Sequence, residues 1–409
     1  MKILFLHQNF PSQFKFLAPA LVDRGHVVFA MHNLSKLGTG IWKGVKVFKY
    51  DIHRKSTPNI HPWLVDIESK TIRGEACFRA ALKLKADGFN PDLVIGHHGW
   101  GECFFIKEVW PKAKLAIYCE FFYKSIHQDV NFDPEFPTDP EIEGSRIFIK
   151  NINNYLHFQI ADAGISPTYW QASTFPESFK NKITVIHDGI DTNRVVPNKN
   201  IIVKINDSLK LDSKSDVITF VNRNLEPYRG YHSFMRSLPH ILKKYPLVHV
   251  LIVGGERVGY GAKSKEGISW KEIFAKEIFS SLSQNEINRI HFLGQVKYKM
   301  FLSILQISTV HVYLTYPFVL SWSLMEAMSA ECAIVASNTN PLHEVIKNNE
   351  TGILVDFFDY KSIAQNICML LDNKELRNIL SNNARKFIVE NYDLNTICLP
   401  SQINWIENL

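Results

Sequence analysis

The 409-residue chain has no stretch of about 18 uncharged apolar residues, so a membrane-spanning helix is not expected. Its opening, MKILFLHQNFPSQF, has only a short apolar stretch after one lysine, too short for a signal-peptide core, and reads as a first strand. The six cysteines, Cys77, Cys103, Cys119, Cys332, Cys368 and Cys398, form no CxxC pair and no regular spacing. That argues against a disulfide framework or a zinc site and for a reducing compartment, and so for a cytoplasmic protein. Lys and Arg number 46 against 40 Asp and Glu, a net of +6. This suits an anionic small molecule or a membrane surface, and with basic residues dispersed and no recognised module, nucleic-acid binding is set aside. The first strand is not followed by GxGxxG, which argues against a nicotinamide dehydrogenase; the GGxxxGxG pattern of residues 254–261 comes mid-domain.

What is present is a repeated alternation of short aliphatic runs with helix-like segments, the pattern of a parallel sheet with crossover helices. The first half offers strands at 2–7, 27–30, 93–96, 114–118, 163–165 and 183–186, and a helix over 75–87 that stops at Gly88. The polar, Lys/Asn/Ser-rich segment 197–216 reads as the domain junction. Beyond it, strands are expected at 217–222, 248–253, 289–293, 309–314, 333–336 and 352–355. Helices are expected near 231–244, 271–285, 323–330, 361–372 and 375–390, the first kinked at Pro239. The fold class is α/β, two layered halves with a small-molecule cleft.

Four segments carry candidate chemistry. In residues 313–336 a strand ends in Pro-Phe and a helix begins near Ser321 or Ser323, with Ser323 and Glu326 matching S-x-x-E. Amides at that start suit phosphate oxygens and Glu326 suits ribose hydroxyls, against the plainer reading of a capping box alone. In FVNRNLEPYRGY, Arg223 and Arg229 lie in a loop after a strand, and guanidinium groups hold a diphosphate bidentately without losing charge. The plainer reading is two solvated arginines with Glu226 as partner. PDLVIGHHGWGE delivers His97 and His98 to a strand's carboxyl end, where ligands bind in open sheets, although such histidines also serve structure. HQNFPSQ places Pro11, Ser12 and Gln13 in a βα turn that is either an ordinary turn or a substrate contact. Glu120, after another strand, is an acceptor-side candidate; HDGID at 187–191 reads as a turn.

The ordered series KILFLHQNFPSQFKFLAPALVDRGHVV, PDLVIGHHGWGE, ISPTYWQASTFP, VIHDGIDTNRV, VNRNLEPYRGYHSFMRSLP, HFLGQV, PFVLSWSLMEAMSAECAIVAS and NNETGILVDFFD resembles glycosyltransferase family 4, nearly end to end. The resemblance implies the GT-B architecture, two Rossmann-like αβα domains facing each other across a cleft. Residues 1–196 would bind the acceptor, joined by a terminal helix at about 385–409, and 197–384 would bind the nucleotide sugar. It puts Arg223 and Arg229 on the diphosphate, amides of Val319, Leu320 and Ser321 on the phosphates, Glu326 on the ribose and His97 near the reacting centre. Asn222 joins the donor site and Gln295 the edge of the base pocket, with Pro11, Ser12, Gln13, His98 and Glu120 on the acceptor side.

Two positions depart from the family. The first of two glutamates eight positions apart is here Phe318, which puts the donor sugar in question, and the Gly pair often found in the first loop is replaced around Pro11–Ser12–Gln13. The implied reaction is retaining transfer from a nucleoside-diphosphate sugar, UDP favoured over GDP, to a hydroxyl of a glycan, glycolipid or small molecule, with no metal or cofactor and with contact at the inner membrane face left open. The alternatives are an epimerase or hydrolase of the same fold, or a noncatalytic sugar-binding or interaction protein.

Overall fold

The computed structural model describes residues 1–264 and 267–409. Its chain separates into two units, Met1–Gly189 with Asn395–Leu409, and Ile190–Leu394.

In the first unit, β1 (Lys2–Leu6), β2 (Val27–His32), β3 (Gly40–Trp42), β4 (Val45–Lys49), β5 (Leu93–His97), β6 (Lys114–Tyr118), β7 (Ala163–Ser166) and β8 (Ile183–Val185) form one sheet ordered β3-β4-β2-β1-β5-β6-β7-β8. It is parallel except for the β3–β4 pair. Side chains of β1 alternate: Ile3 and Phe5 enter one core with Phe14, Leu17 and Leu21, while Leu4 and Leu6 enter the other with Cys77, Ala81 and Leu84. A strand covered on both faces reads as the continuous apolar run KILFL. The helix ending before Gly88 begins at Val65 rather than 75, its first turn carrying the acidic residues Asp66 and Glu68. β3 and β4 escape the pattern reading because exposed and lysine positions interrupt them.

In the second unit, β9 (Ile202–Lys204) and β10 (Lys210–Asp212) form an antiparallel hairpin. The strands β11 (Val217–Asn224), β12 (His249–Gly255), β13 (Ile290–Gly294), β14 (Val310–Tyr313), β15 (Ala333–Ser337) and β16 (Ile353–Val355) form a parallel sheet ordered β13-β12-β11-β14-β15-β16.

Several expectations need correction. Residues 197–216 are not a linker, because Val203 and Leu211 of the hairpin are buried in the second unit's core while the polar positions between them face out. The unit boundaries fall after Gly189 and Leu394, not after 196 and 384. Ile190 and Leu394 are held together by backbone bonds, Ile190 N to Tyr392 O at 2.9 Å and Leu394 N to Ile190 O at 2.8 Å, and Thr192 donates to Asp393. The terminal helix is two helices: Lys374–Tyr392 belongs to the second unit and Leu399–Glu407 to the first, where Ile406 is buried and Glu407 accepts from Arg24 at 2.7 Å. Residues 271–285 hold two helices, Trp270–Phe279 and Gln284–Ile287, started by capping boxes at Ser269 and Ser283. The helix Tyr231–Lys244 continues through Pro239. Among the described residues no helix is long and apolar enough to cross a membrane.

Among its parallel strands each sheet has one place where the order reverses. In the first unit this is between β1 and β5, and in the second between β11 and β14. Loops leaving neighbouring strands in opposite directions open a crevice there, the usual ligand position in such sheets.

Candidate active site

At the second unit's reversal point, β11 ends at Asn224 and the chain turns through the short helix Pro227–Arg229 to Gly230. Gly230 has φ +66°, and a Cβ there would lie 2.3 Å from Leu314 Cβ, so glycine alone fits between this turn and the end of β14. The tight approach lays Arg229 across the loop after β14. Its Nη1 donates to Thr315 Oγ1 at 2.8 Å, Val319 O at 3.2 Å and Tyr313 Oη at 3.3 Å. The guanidinium carbon stands 5.2 Å from the Tyr260 ring and 5.8 Å from the Phe318 ring. Arg229 is only 5% exposed, yet its hydrogen bonds to Thr315, Val319 and Tyr313 go to neutral oxygens. Burial works against its charge, while Tyr313, Tyr260 and Glu226 act to keep it.

Glu226 is the nearest carboxylate in this turn, but its Oε2 is committed to the amides of Gly259, Tyr260 and Gly261, at 3.1, 3.2 and 3.4 Å. It anchors the glycine-rich loop after β12 and thereby holds Tyr260 against Arg229. The pairing of two surface arginines with Glu226 is therefore not what forms. Arg223 lies within β11 rather than in a loop and is exposed; among the described residues its side chain makes no hydrogen bond or ion pair.

The helix Trp322–Ser329 is capped by Ser321, whose Oγ accepts from Ser323 N at 3.3 Å. Ser323 is thus inside the helix, and the Ser323–Glu326 capping box does not form. Glu326, half-buried, instead accepts from Tyr298 Oη at 2.6 Å. Burial, then the Glu326 charge, raises the Tyr298 phenol. Arg194 lies 4.8 Å from the same ring. Of the three amides expected at phosphate, that of Ser321 donates to Tyr313 Oη at 3.1 Å. Val319 is buried and lends its carbonyl to Arg229, while Leu320 is half-buried beside it. Asn222 is half-buried with its Nδ2 lacking a hydrogen-bond partner among the described residues. Gln295 is exposed; its Nε2 and Asn224 Oδ1 would stand 2.9 and 2.8 Å from a Cβ on Gly255, so that glycine makes room for both.

At the first unit's reversal point, His97 closes β5 and is 2% exposed. Its Nδ1 accepts from Gly99 N at 2.9 Å and its Nε2 is 3.6 Å from Glu120 Oε2. Burial, then neighbouring histidines and Lys70, push its pKa well below the usual range, so the ring is neutral. The loop beyond stays compact at Gly101, φ +93°, where a Cβ would meet Lys70 O at 2.2 Å. His98 is spent inside the protein: Nδ1 bonds Asn154 Oδ1 at 2.6 Å and Nε2 accepts from Phe121 N at 3.3 Å. It has no ring nitrogen left for an acceptor, contrary to its expected place. Pro11, Ser12 and Gln13 are half-buried, and Ser12 has φ +39°, left-handed backbone where the resembled family often has glycine.

His97, His98 and Glu120 bring three ligand-type atoms within 4.8 Å. The donor set does not suit a metal ion, because both His98 nitrogens are engaged and His97, accepting at Nδ1, carries its proton on Nε2. The residues that pattern reading missed are Tyr260, Tyr298, Tyr313 and Thr315, and it gave Glu226 the wrong partner; all act through contacts distant in sequence. It also passed over His7, which follows β1 as His97 closes β5, a signal that was available.

Residues 24–195 match the family model described as glycosyl transferase family 4 group, and residues 202–387 match glycosyl transferases group 1. An uncharacterized glycosyltransferase of Methanocaldococcus jannaschii is 29% identical over 224 residues, which are 53% of this chain and 51% of that protein. The chain spans about half the length of the curated relatives it matches. Among solved structures, sucrose-phosphate synthase from Thermosynechococcus elongatus aligns with a TM-score of 0.73 at 14% identity, over 100% of this chain and 98% of the other. HepE of Anabaena, in complex with UDP and glucose, aligns with a TM-score of 0.66 at 16% identity over 100% of both chains. With a glycosyltransferase family model on each half and these likenesses along its whole length, the chain has the GT-B fold of glycosyltransferases, two Rossmann-like α/β domains in one polypeptide.

Proposed function

We propose that this chain is a retaining glycosyltransferase of family 4 that moves a sugar, such as a hexose, from a nucleoside-diphosphate sugar to a hydroxyl acceptor, with UDP as the favoured nucleotide. The carrying observation is Arg229. A buried cation hydrogen-bonded to neutral oxygens is costly unless a negative group completes it. It lies beside the start of an eight-residue helix at the sheet's reversal point, where amide dipoles add positive potential. A diphosphate meets both.

When the bond to the nucleoside diphosphate breaks, negative charge grows on the leaving oxygen. A guanidinium already fixed by three hydrogen bonds stabilises that charge without reorganising. Arg223, exposed near the end of β11, supplies a second cation, and Glu326, held by Tyr298, takes the ribose hydroxyls. Asn222 and Gln295 border the donor. Phe318, packed 4.9 Å from Tyr260, keeps this wall apolar and adds no carboxylate beside Arg229, so the sugar contact at this position differs from that of a carboxylate. In the first unit, His97, Glu120 and the turn at Pro11–Ser12–Gln13 face reacting sugar and acceptor, the latter a glycan or glycolipid precursor. The six cysteines are buried and none is disulfide-bonded, which supports a cytoplasmic setting.

The test is product analysis with a panel of UDP- and GDP-sugars and hydroxyl acceptors. The expected result is a glycoside of retained anomeric configuration and free nucleoside diphosphate. An inverted product, or hydrolysis unaffected by any acceptor, rejects the proposal.

A further inference from the structure

Five residues of the second unit surround the Arg229 guanidinium: Tyr313, Thr315, Val319, Phe318 and Tyr260. Four of them lie in the interior. Tyr313 and Thr315 are fully buried, and Phe318 and Val319 are buried as well. Tyr260 is the exception, 39% exposed. Its ring stands 5.2 Å from the guanidinium carbon and 4.9 Å from the Phe318 ring. Of the five, it alone has a face to solvent, so a group arriving from solution meets Tyr260 before it meets Arg229.

The loop that carries Tyr260 is fastened by its backbone. The consecutive amides of Gly259, Tyr260 and Gly261 converge on Glu226 Oε2, a nest of N–H groups around one anionic oxygen. Gly259 permits the approach, since a Cβ there would lie 2.9 Å from Glu226 Oε1. A second tie follows where Trp270 Nε1 donates to Ala262 O at 3.0 Å. The side chain is held differently, by the Arg229 charge and by the Phe318 and Tyr228 rings, with residues 259–263 exposed around it. Burial works against the charge of Arg229; Tyr313, and then Tyr260 with a side-chain hydrogen bond, sustain it. A neutral phenol is a weaker partner for a guanidinium than a phosphate group, whose hydrogen bonds are charge-assisted and can be bidentate. The contact that covers Arg229 is therefore one that a diphosphate displaces.

We infer that Tyr260 is the gate to Arg229: its ring and hydroxyl cover the guanidinium as the loop stands, and they swing out before a diphosphate takes their place. This deepens the glycosyl-transfer reading and rests on it for the identity of the anion as a nucleoside diphosphate. It gives Tyr260 the role of a competitor that occupies Arg229 in place of the donor, with Glu226 as the residue that positions its loop. Only molecules with the gate open bind the diphosphate, so the apparent affinity is lowered by the fraction that is open.

The first arm of the test needs no nucleotide. Phenylglyoxal, which modifies accessible guanidinium groups, is applied to the folded protein and the modified arginines are mapped by peptide mass spectrometry, with exposed Arg223 as internal reference. Arg229 should react much more slowly than Arg223 in the wild type and about tenfold faster in Tyr260→Ala, with Arg223 unchanged. An Arg229 that stays protected in Tyr260→Ala, or reacts like Arg223 in the wild type, overturns the inference. Half-buried Arg385, which donates to Ser329 O, reports on the fold; if it too becomes reactive, Tyr260→Phe decides. The second arm is calorimetry with UDP and uridine. Tyr260→Phe, which keeps the ring and removes the hydroxyl, should bind UDP about threefold to tenfold more tightly and uridine as before. Unchanged or weaker UDP binding in that variant makes Tyr260 a wall of the site and overturns the gate. If the wild-type protein binds no UDP, the donor reading falls, and the phenylglyoxal arm still decides whether Tyr260 covers Arg229.

Discussion

Arg229 Nη1 donates to Thr315 Oγ1 across 2.8 Å, joining the turn after β11 to the loop after β14 at the reversal point of the second sheet. Thr315 is fixed in turn, since its amide donates to Ser337 Oγ at 3.0 Å and its carbonyl accepts from the Ser337 and Thr339 hydroxyls. The cation is therefore placed by three strands' ends rather than by its own flexible chain, which is the preorganisation that charge stabilisation requires.

That placement depends on Gly230. Alanine there meets a left-handed φ of +66° and a 2.3 Å approach to Leu314 Cβ. Left-handed backbone costs roughly 1–2 kcal/mol and overpacking about 1–3 kcal/mol more. Gly230→Ala should destabilise the second unit by about 2 kcal/mol or more in urea unfolding and weaken UDP binding. A variant as stable as the parent would show that the turn adapts.

Glu326 and Tyr298 form the second relationship of the donor site. If Glu326 reads the ribose, the wild-type protein prefers UDP over its 2′,3′-dideoxy analogue, and Glu326→Ala erases that preference while the affinity for the dideoxy compound holds. Calorimetry with both nucleotides measures it. A preference that survives in Glu326→Ala takes the ribose away from this residue. Tyr298→Phe, which loses only the hydroxyl that orients the carboxylate, should cost about threefold to tenfold in UDP affinity.

The buried histidines make the fold sensitive to acid. Burial lowers His7, His98 and His187 from 6.5 to about 4, and His157 and His311 to about 3. Because these folded-state values lie below the unfolded ones, the unfolded chain binds more protons once pH drops below 6.5. Their stabilising contribution is whole above that value and is lost as pH falls toward 4. Unfolding free energy by urea titration should therefore decline steadily from neutral pH to about pH 5. A flat profile over that interval would show that these rings are not held neutral.

Much of this was legible in the sequence, for physical reasons. Strands buried on both faces, such as KILFL and VITFV, announce themselves as apolar runs, and Gly88 and Gly230 mark the ends and starts of helices. What escaped was non-local. The hairpin of residues 202–212 looked like a linker because only Val203 and Leu211 are buried and lysines flank them. Ser321 and Ser323 compete for one helix start, and the choice falls to Ser321, whose amide Tyr313 accepts from eight residues away. Glu226 looked like an arginine's partner, yet its carboxylate closes on amides more than thirty residues downstream.

The account stands or falls on the diphosphate contact of Arg229, and the direct measurement compares uridine with UDP by calorimetry in the wild-type protein and in Arg229→Met. Charge-assisted hydrogen bonds contribute about 1.5–3 kcal/mol, so the wild type should bind UDP at least about tenfold more tightly than uridine, and the variant should lose most of that difference while keeping its uridine affinity. An unchanged ratio of UDP to uridine affinity in Arg229→Met would contradict the account.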